Sequence, residues 1–358
     1  MTNHPASAVP IAQIRLALDD APGEGQPHPA HDISAAARIG DTLFLGADEC
    51  ADLEVLDLVG EDFAAHRRIR LGEAFDLPGG PDEEMDIEGL AVDAGWLWVT
   101  GSHSLTRKKP KKSKPLDDHG LARLAHLKQR PNRMFLGRLP LIETSQGRWD
   151  VALAPLPDGR RPQMLPIGKH GSDLYKALKK HPLLGPFCAL PAKENGLDVE
   201  GLVVDGDRVG LGLRGPVING WALIVEAHIA PASETPDEAD LALAGDLKLH
   251  VLDLAGLGVR DLKRRAADVL ILAGPTMKLS GPARVYRWPG WTTPVPADLL
   301  HRPEAVIELP HGQGADHPEA LAPVRHGGNE ALLVVCDTPS PERLAGGAVV
   351  ADVFGVEG

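Results

Sequence analysis

The residues of this sequence best suited to chemistry are acidic and lie in a repeated phrase. Asp86-Ile87-Glu88-Gly89-Leu90 returns as Asp198-Val199-Glu200-Gly201-Leu202, and chance is a poor explanation for two such matches. Carboxylates can act as general acids and bases, and their oxygens are the ligands that Ca²⁺ prefers. The phrase therefore predicts a site for acid–base chemistry or for a hard cation.

Three weaker copies extend the phrase to a fivefold repeat. They are Asp32 to Ala36, Gly258 to Leu262 and His317 to Leu321. Aligning all five places one residue of each copy at the glutamate position: Ser34, Glu88, Glu200, Arg260 and Glu319. A recurring acidic residue where a loop enters a strand can also be structural, because it accepts backbone N–H bonds and pairs with a cation of the next repeat.

The elements that would position this column are β-strands. Each phrase is followed by a hairpin, recognised by short apolar runs around a Gly or Asp turn. The predicted second strands are Thr42 to Gly46, Trp96 to Gly101, Val209 to Arg214, Asp268 to Gly274 and Ala331 to Asp337. Two further apolar runs follow in most repeats; after the second phrase they are Arg133 to Leu139 and Trp149 to Leu156. Four strands per repeat are typical of a β-propeller blade. The prediction is an all-β protein that forms one five-bladed propeller domain over residues 1–358.

The last repeat has only three predicted strands before the chain ends. The run from Ile11 to Leu18 precedes the first phrase and predicts a strand that completes this blade. Such closure removes the exposed edges of a repetitive sheet. Six blades are the alternative, since the spacing of the phrases also fits a shorter repeat with silent members.

Two segments fall outside the repeat and are predicted to be insertions. Residues 102–131 contain a basic run from Arg107 to Lys114 and a helical pattern from Gly120 to Gln129. Residues 158–195 contain a predicted helix from Asp173 to Lys180, with Ser172 or Asp173 as its N-cap. Hairpin geometry predicts that both insertions open onto the same mouth of the central channel.

The same geometry predicts which polar residues meet at that mouth. The start of each innermost strand lies beside the end of the second strand. This pairing places Glu88 near His103, Glu200 near Arg214, Glu319 near Asp337, and Ser34 near Asp48 and Glu49. Polar residues converging beneath two loops are the usual setting of a ligand site.

The mixture of charges predicts an anionic ligand. Arg214 and Arg260 argue against a pure cation cage, and a guanidinium suits phosphate or carboxylate. The leading hypothesis is a hydrolase of a small anionic ester. Its candidate catalytic residues are Glu88, Glu200 and His103, and its candidate ligand-binding residues are Lys193, Arg214, Arg260, Glu319 and Asp337. A divalent metal such as calcium is a candidate cofactor, and a non-catalytic binding propeller is the rival hypothesis.

The repeated phrase also resembles a known family. With Lys193 to Leu197 before its second copy and Gly212 to Pro216 after it, the sequence resembles a bacterial domain-of-unknown-function family of predicted propellers. It is distantly similar to the esterase-like phytase propellers. The resemblance spans about Asp32 to Phe354 and implies the propeller fold, but it brings no established catalytic residues.

Composition excludes several other functions. Thirty-seven Lys and Arg against 50 Asp and Glu give a net charge of −13, and aromatic residues are 4% of the chain. Both values argue against nucleic-acid binding. Three distant cysteines argue against a disulfide framework, and the absence of a long apolar run argues against membrane insertion. A cytoplasmic location is the resulting expectation. Gly210 to Gly215 spells Gly-x-Gly-x-x-Gly, but Pro216 follows where a dinucleotide site needs a helix.

Overall fold

The computed structural model describes residues 7–18, 28–108, 117–144, 147–233, 240–277, 281–289, 291, 300–311 and 316–356. Within these ranges the chain consists mainly of β-strands, with two α-helices. The predicted all-β class is therefore confirmed. Neither of the two helices is long and apolar enough to cross a membrane.

The first sheet shows how short turns and apolar strands build the repeat. Its strands are β2 (Ile33–Ile39), β3 (Thr42–Ala47), β4 (Asp52–Val59) and β5 (Asp62–Arg70), and each pairs antiparallel with the next. The preceding strand, β1 (Ala12–Ala17), pairs mainly with a strand near the end of the chain and meets β5 at one position. Gly40 and Asp41 form the two-residue turn between β2 and β3. The φ of Gly40 is +54°, a left-handed conformation that favours glycine.

The second sheet carries the first insertion. β6 (Ile87–Asp93) pairs with β7 (Trp96–Gly101), and the insertion that follows contains β8 (Thr106–Arg107), α1 (Asp118–Ala125) and β9 (Leu127–Lys128). The helix predicted to reach Gln129 ends earlier, because Leu127 and Lys128 pair with β8 instead. Most of the predicted basic run, residues 109–114, lies outside the described part of the chain.

The outer edge of the second sheet is divided between two short strands. β10 (Leu136–Glu143) pairs with β7 and also with β11 (Trp149–Val151) and β12 (Gln163–Met164). The strand predicted to reach Leu156 ends at Val151. Pro155 and Pro157 follow, and proline cannot donate a hydrogen bond to a sheet. β12 lies in a segment where the sequence predicts no strand.

The second insertion leads into the third sheet. Its helix, α2 (Asp173–Lys180), has the predicted bounds, and the Ser172 hydroxyl caps it by accepting a hydrogen bond from the Tyr175 N–H at 3.2 Å. The sheet consists of β13 (Asp198–Asp205), β14 (Arg208–Ile218), β15 (Trp221–Pro231) and β16 (Leu241–Leu252), paired in that order.

The fourth sheet follows the same plan. β17 (Gly258–Arg265), β18 (Asp268–Gly274) and β19 (Ala283–Trp288) pair in order, and β20 (Leu300–His301) pairs with β16. β21 (Glu304–Leu309) then completes the sheet against β19.

The fifth sheet joins the two ends of the chain. β22 (His317–His326), β23 (Asn329–Asp337) and β25 (Ala348–Gly355) pair in order, and β24 (Leu344–Ala345) pairs with β25. β1 supplies the fourth strand, with a register from Ala12 opposite Val353 to Ala17 opposite Ala348. The predicted pairing of the N-terminal strand with the last repeat is thus confirmed. β1 also touches β5, where Leu16 lies opposite Phe63.

The hydrophobic core is divided among the interfaces between neighbouring sheets. Five apolar clusters each combine residues of two adjacent sheets: for example Phe44 with Leu97, Trp98 with Leu211, Ile224 with Ile271, Leu272 with Leu332, and Leu333 with Leu43. The innermost strands β2, β6, β13, β17 and β22 contact one another in cyclic order, and β22 returns to β2. This closed arrangement of radially packed antiparallel sheets is a β-propeller fold.

A candidate active site at one end of the channel

The repeated phrase marks a β-bulge in every innermost strand. The register of each innermost hairpin shifts around one residue, and the five shifted residues are those of the aligned column: Ser34, Glu88, Glu200, Arg260 and Glu319. A bulge leaves one residue unpaired and redirects its side chain. The predicted alignment therefore corresponds to a common feature of the backbone, and the side chains at this position are all buried.

A cavity of about 910 Å³ lies at the channel end where these bulges occur. Its floor includes Glu88, Arg260 and Glu319 of the column, together with Arg214 and Asp337 from the ends of second strands. Residues of both insertions line the same cavity. The predicted convergence of insertions and phrases on one face therefore agrees with the structure.

Two arginines tie the floor together. Arg214 forms ion pairs with Asp198 and with Glu200, the latter at 2.6 Å. Arg260 pairs with Glu200 at 3.2 Å and also with Glu319. These contacts link the third, fourth and fifth sheets, and every participant is at least nine-tenths buried. The predicted neighbourhood of Glu200 and Arg214 is confirmed.

A third arginine, which the sequence analysis did not single out, serves the second sheet. Arg133 pairs with Asp86 at 2.6 Å and with Glu84, and it donates a hydrogen bond to the Ser104 hydroxyl at 2.8 Å. Its position was predicted to begin a strand, but residues 131–134 form a 3₁₀ turn that directs the guanidinium into the cavity. No spacing signal distinguishes this arginine from others, because a turn in the insertion brings it to the site.

One group of carboxylates on the floor has too few cations. Oxygens of Asp48, Asp86 and Glu88 lie within 4.8 Å of one another. Asp86 has Arg133 as a partner, but Glu88 is only 6% exposed and forms no hydrogen bond or ion pair with any described residue. The Oδ1 atom of Asp48 is buried and likewise lacks a hydrogen-bond partner in the described chain. Asp48, Asp86 and Glu88 are therefore the described residues best placed to hold a metal ion.

Burial and crowding of like charges shift the acidities of the floor. Burial, followed by repulsion from Asp48, raises the pKa of Glu88 well above its usual range. Burial and then Asp86 act in the same direction on the pKa of Asp48. Burial and then Glu319 raise the pKa of Asp337 to about 7, which makes it half-ionised near neutral pH. Carboxyls with such different acidities can divide the roles of acid and base.

Cations surround the floor. Six of the described lining residues that come from the insertions are cationic: Arg107, Lys108, Arg123, Lys128, Arg130 and Lys193. Lys193 is exposed and close enough to Asp337 to lower its pKa. A basic rim thus lies above an acidic floor in one cavity.

The two insertions hold each other over this rim. Arg107 forms a two-pronged ion pair with Glu194, in which Nη2 and Oε2 are 2.7 Å apart. The Ala192 N–H donates to the Leu105 carbonyl at 2.9 Å. The cover of the cavity is therefore a single interconnected unit.

His103 does not occupy the position that the sequence predicts for it. It is 2% exposed, its Nε2 lies 3.3 Å from the Thr100 hydroxyl, and it is not among the described residues that line the cavity. The hydroxyls of Ser102 and Ser104 lie beside Arg133, whereas His103 has a left-handed φ of +54° and its ring lies beside Thr100. Burial lowers the pKa of His103 to about 4, so the ring is neutral at pH 7. Its assignment as an acid or base of this site is not supported.

Some residues that flank the second copy of the phrase have structural roles. Asn195 holds Val217 through both side-chain amide atoms, at 2.9 and 3.3 Å. A Cβ atom added to Gly196 would lie 2.2 Å from the Leu190 carbonyl oxygen, and one on Gly215 would lie 2.5 Å from the Gly196 carbonyl oxygen. Close backbone approach therefore explains these glycines without any ligand.

The opposite part of the channel contains a buried ion pair that the sequence analysis missed. Lys263 Nζ contacts Asp261 Oδ1 at 2.6 Å and donates to the Leu90 carbonyl at 3.2 Å, while Asp261 accepts from the Leu321 N–H at 2.7 Å. These bonds connect three innermost strands. Lys263 also lines a second cavity of about 450 Å³.

Comparison with solved structures finds low similarity along nearly the whole chain. A glutaminyl cyclase of Myxococcus xanthus is 10% identical with a TM-score of 0.42, and the match covers 98% of this chain and 97% of that one. The major allergen Mala s 1 of Malassezia sympodialis is 9% identical with a TM-score of 0.43, covering 97% and 96%. The β-propeller domain of Cps50 (Swd1) from Myceliophteria thermophila is 12% identical with a TM-score of 0.32, covering 91% and 96%.

The sequence itself gives a clearer family relationship. Among curated proteins, none matches the sequence. A family described as protein of unknown function (DUF3616) matches residues 32–352, nearly the range over which the repeated phrases predict a propeller. The chain therefore belongs to the DUF3616 family of proteins of unknown function.

Proposed function

We propose that the cavity binds a small anionic ester and hydrolyses it. The observation that carries this proposal is the division of one cavity into a basic rim and an acidic floor. The rim suits the anionic group of a substrate, because clustered cations attract and orient anions. The floor contains carboxyls whose pKa values are raised by burial, that of Glu88 well above its usual range and that of Asp337 to about 7. Perturbed acidity in a concave site is a mark of catalytic groups.

In this proposal the general base is Asp337. It lines the cavity, it is bonded to the Thr338 hydroxyl at 3.1 Å, and its pKa is about 7. A base of this strength is effective near neutral pH. Asp337 would remove a proton from water, the water oxygen would attack the ester, and the products would be an alcohol and an acid. Lys193, which lies beside Asp337, would bind the anionic group.

Release of p-nitrophenol from anionic esters tests this proposal. We expect turnover of at least one of p-nitrophenyl phosphate, p-nitrophenyl sulfate and mono-p-nitrophenyl succinate. Asp337→Asn should lower kcat by about 10² to 10⁴ fold, the usual contribution of a general base. Lys193→Ala should mainly raise KM.

Asp246→Asn provides the matched control, because Asp246 is exposed on β16 and does not line the cavity. It should leave both constants unchanged. If no ester is cleaved faster by the unaltered protein than by Asp337→Asn, the hydrolase proposal is wrong.

A non-catalytic binding propeller is the second candidate. It is favoured by the ion pairs of Arg214 and Arg260, which satisfy much of the floor without a ligand. In that case phosphate or succinate should raise the melting temperature although no ester is turned over.

We also infer that the propeller has five blades within one domain. The support is the set of five bulged innermost strands, each followed by an antiparallel sheet and closed in a ring through β1. Residues 157–195, the segment that a sixth blade would need, contain the two-residue strand β12, the helix α2 and two short 3₁₀ helices.

A further inference from the structure

We propose that Asp48, Asp86 and Glu88 form a binding site for one divalent cation of calcium type. The site lies in the cavity discussed above, and it stands whether or not that cavity hydrolyses an ester. Its three ligands come from two neighbouring sheets: Asp48 directly follows β3, and Asp86 and Glu88 lie at the start of β6.

The first argument is the spacing of the oxygens. One oxygen from each residue lies within 4.8 Å of the other two. Calcium binds oxygens at about 2.3 to 2.6 Å, so two ligands on opposite sides of the ion are about 4.6 to 5.2 Å apart. The three oxygens therefore fit around one calcium-sized ion.

The second argument is that Glu88 has no other partner. Its side chain is 6% exposed and lines the cavity, yet no described residue hydrogen-bonds or ion-pairs with it. The neighbouring charges that most affect the pKa of Glu88 are carboxylates, and the largest of these effects comes from Asp48. A buried carboxylate surrounded by like charges is unfavourable unless a cation compensates it.

The nearby arginines provide only part of that compensation, because Arg214 and Arg260 attract Glu88 through space without forming an ion pair with it. Arg133 is shared between Asp86 and Glu84, and Arg260 is shared between Glu200 and Glu319. Neither contacts Glu88 or Asp48. The bulge at Glu88 explains its position, since it redirects the side chain toward the open end of the channel. Carboxylate oxygens together with water are the ligands that hard divalent cations prefer.

Calorimetric titration of the full-length protein, after treatment with EDTA and its removal, tests the site. Calcium chloride should bind with a stoichiometry of one, and magnesium chloride should bind at least about tenfold more weakly because of its stricter geometry. Glu88→Gln should weaken calcium binding by about tenfold or more, since affinity follows the number of charged ligands. Calcium should also raise the melting temperature of the unaltered protein but not of this variant.

Glu49→Gln is the matched control. Glu49 is exposed and lines the same cavity, but it does not belong to the three-carboxylate cluster. Calcium affinity should be retained in this variant. Equal weakening by Glu49→Gln and Glu88→Gln would show attraction by the general negative charge and would overturn the site, as would the absence of 1:1 binding at millimolar calcium.

Two further results keep the outcome decisive. If Glu88→Gln does not fold, as judged by circular dichroism, Asp48→Asn replaces it and must show the same loss. Calcium binding without ester turnover would support the cation site and count against the hydrolase. Ester turnover that persists in EDTA, together with no calcium binding, would support the hydrolase and overturn the cation site.

Discussion

Replacing Arg260 should reveal how strongly the floor of the cavity depends on its cations. Arg260 lies between Glu200, at 3.2 Å, and Glu319, and all three side chains are buried. At an effective dielectric constant of 20, one ion pair at 3.2 Å has a Coulomb energy of about 5 kcal/mol. Desolvation offsets part of this attraction, but removal of one partner leaves buried charge behind and typically costs about 3 to 5 kcal/mol.

We therefore expect Arg260→Met to lower the free energy of unfolding at pH 8 by about 3 to 5 kcal/mol. Arg265→Met is the matched control. Arg265 pairs with Glu330 at 3.0 Å, but this pair is much more exposed, and loss of such a pair costs about 0 to 1 kcal/mol. Guanidinium denaturation followed by circular dichroism measures both variants.

The effect should depend on pH and on the partner carboxylates. Burial raises the pKa of Glu200 to about 8, so at pH 5 this carboxyl is protonated and the loss caused by Arg260→Met should be smaller than at pH 8. Adding Glu319→Gln to Arg260→Met should recover part of the stability, because fewer buried charges then lack a partner. If Arg260→Met destabilises the protein no more than Arg265→Met at pH 8, the floor is not held by these ion pairs.

Three other predictions concern other parts of the molecule. Deleting residues 1–18 removes β1 together with the fully buried Leu16 and Leu18. Because the burial of these two side chains contributes about 3 to 6 kcal/mol, the melting temperature should fall sharply. An unchanged melting temperature would contradict closure of the propeller by this strand. Asp337 has its pKa raised from 3.8 to about 7, so its contribution to stability is complete below about pH 4 and is lost as the pH rises to 7. Asp337→Asn should therefore flatten the stability profile across that window in urea titrations, and at pH 8 it should be more stable than the unaltered protein by about 2 to 4 kcal/mol. Ser172→Ala should lower the free energy of unfolding by about 1 kcal/mol, measured by denaturation, because it removes the cap of α2.

Repetition allowed much of the backbone to be predicted. The phrase around Glu88 and Glu200 fixed the alignment of the innermost strands, and the alternating apolar runs gave strands such as β7 and β18 their correct bounds. The closing strand β1 followed from counting strands per repeat. These features depend on local periodicity and on the need to bury sheet edges, both of which are present in the linear sequence.

The insertions were predicted less well, because they do not repeat. The helix α1 ends at Ala125, since the next residues pair with β8, and residues 163–164 form a strand where none was expected. Pairing between short segments far apart in sequence has no local signature. The choice between helix and strand there depends on which partner the fold brings near.

For the site, the sequence by itself determined that Glu88, Glu200, Arg260 and Glu319 would share one end of the channel, because equivalent positions in a closed repeat lie on the same ring. Only the tertiary structure decided what each of them contacts. It paired Arg260 with two of the glutamates, left Glu88 beside Asp48 without a cation, and turned His103 away from the cavity. The physical reason is that charged side chains compensate one another through space, over distances of a few ångströms. Bulges, turns and the approach of neighbouring sheets set those distances. The linear spacing of the residues does not record them.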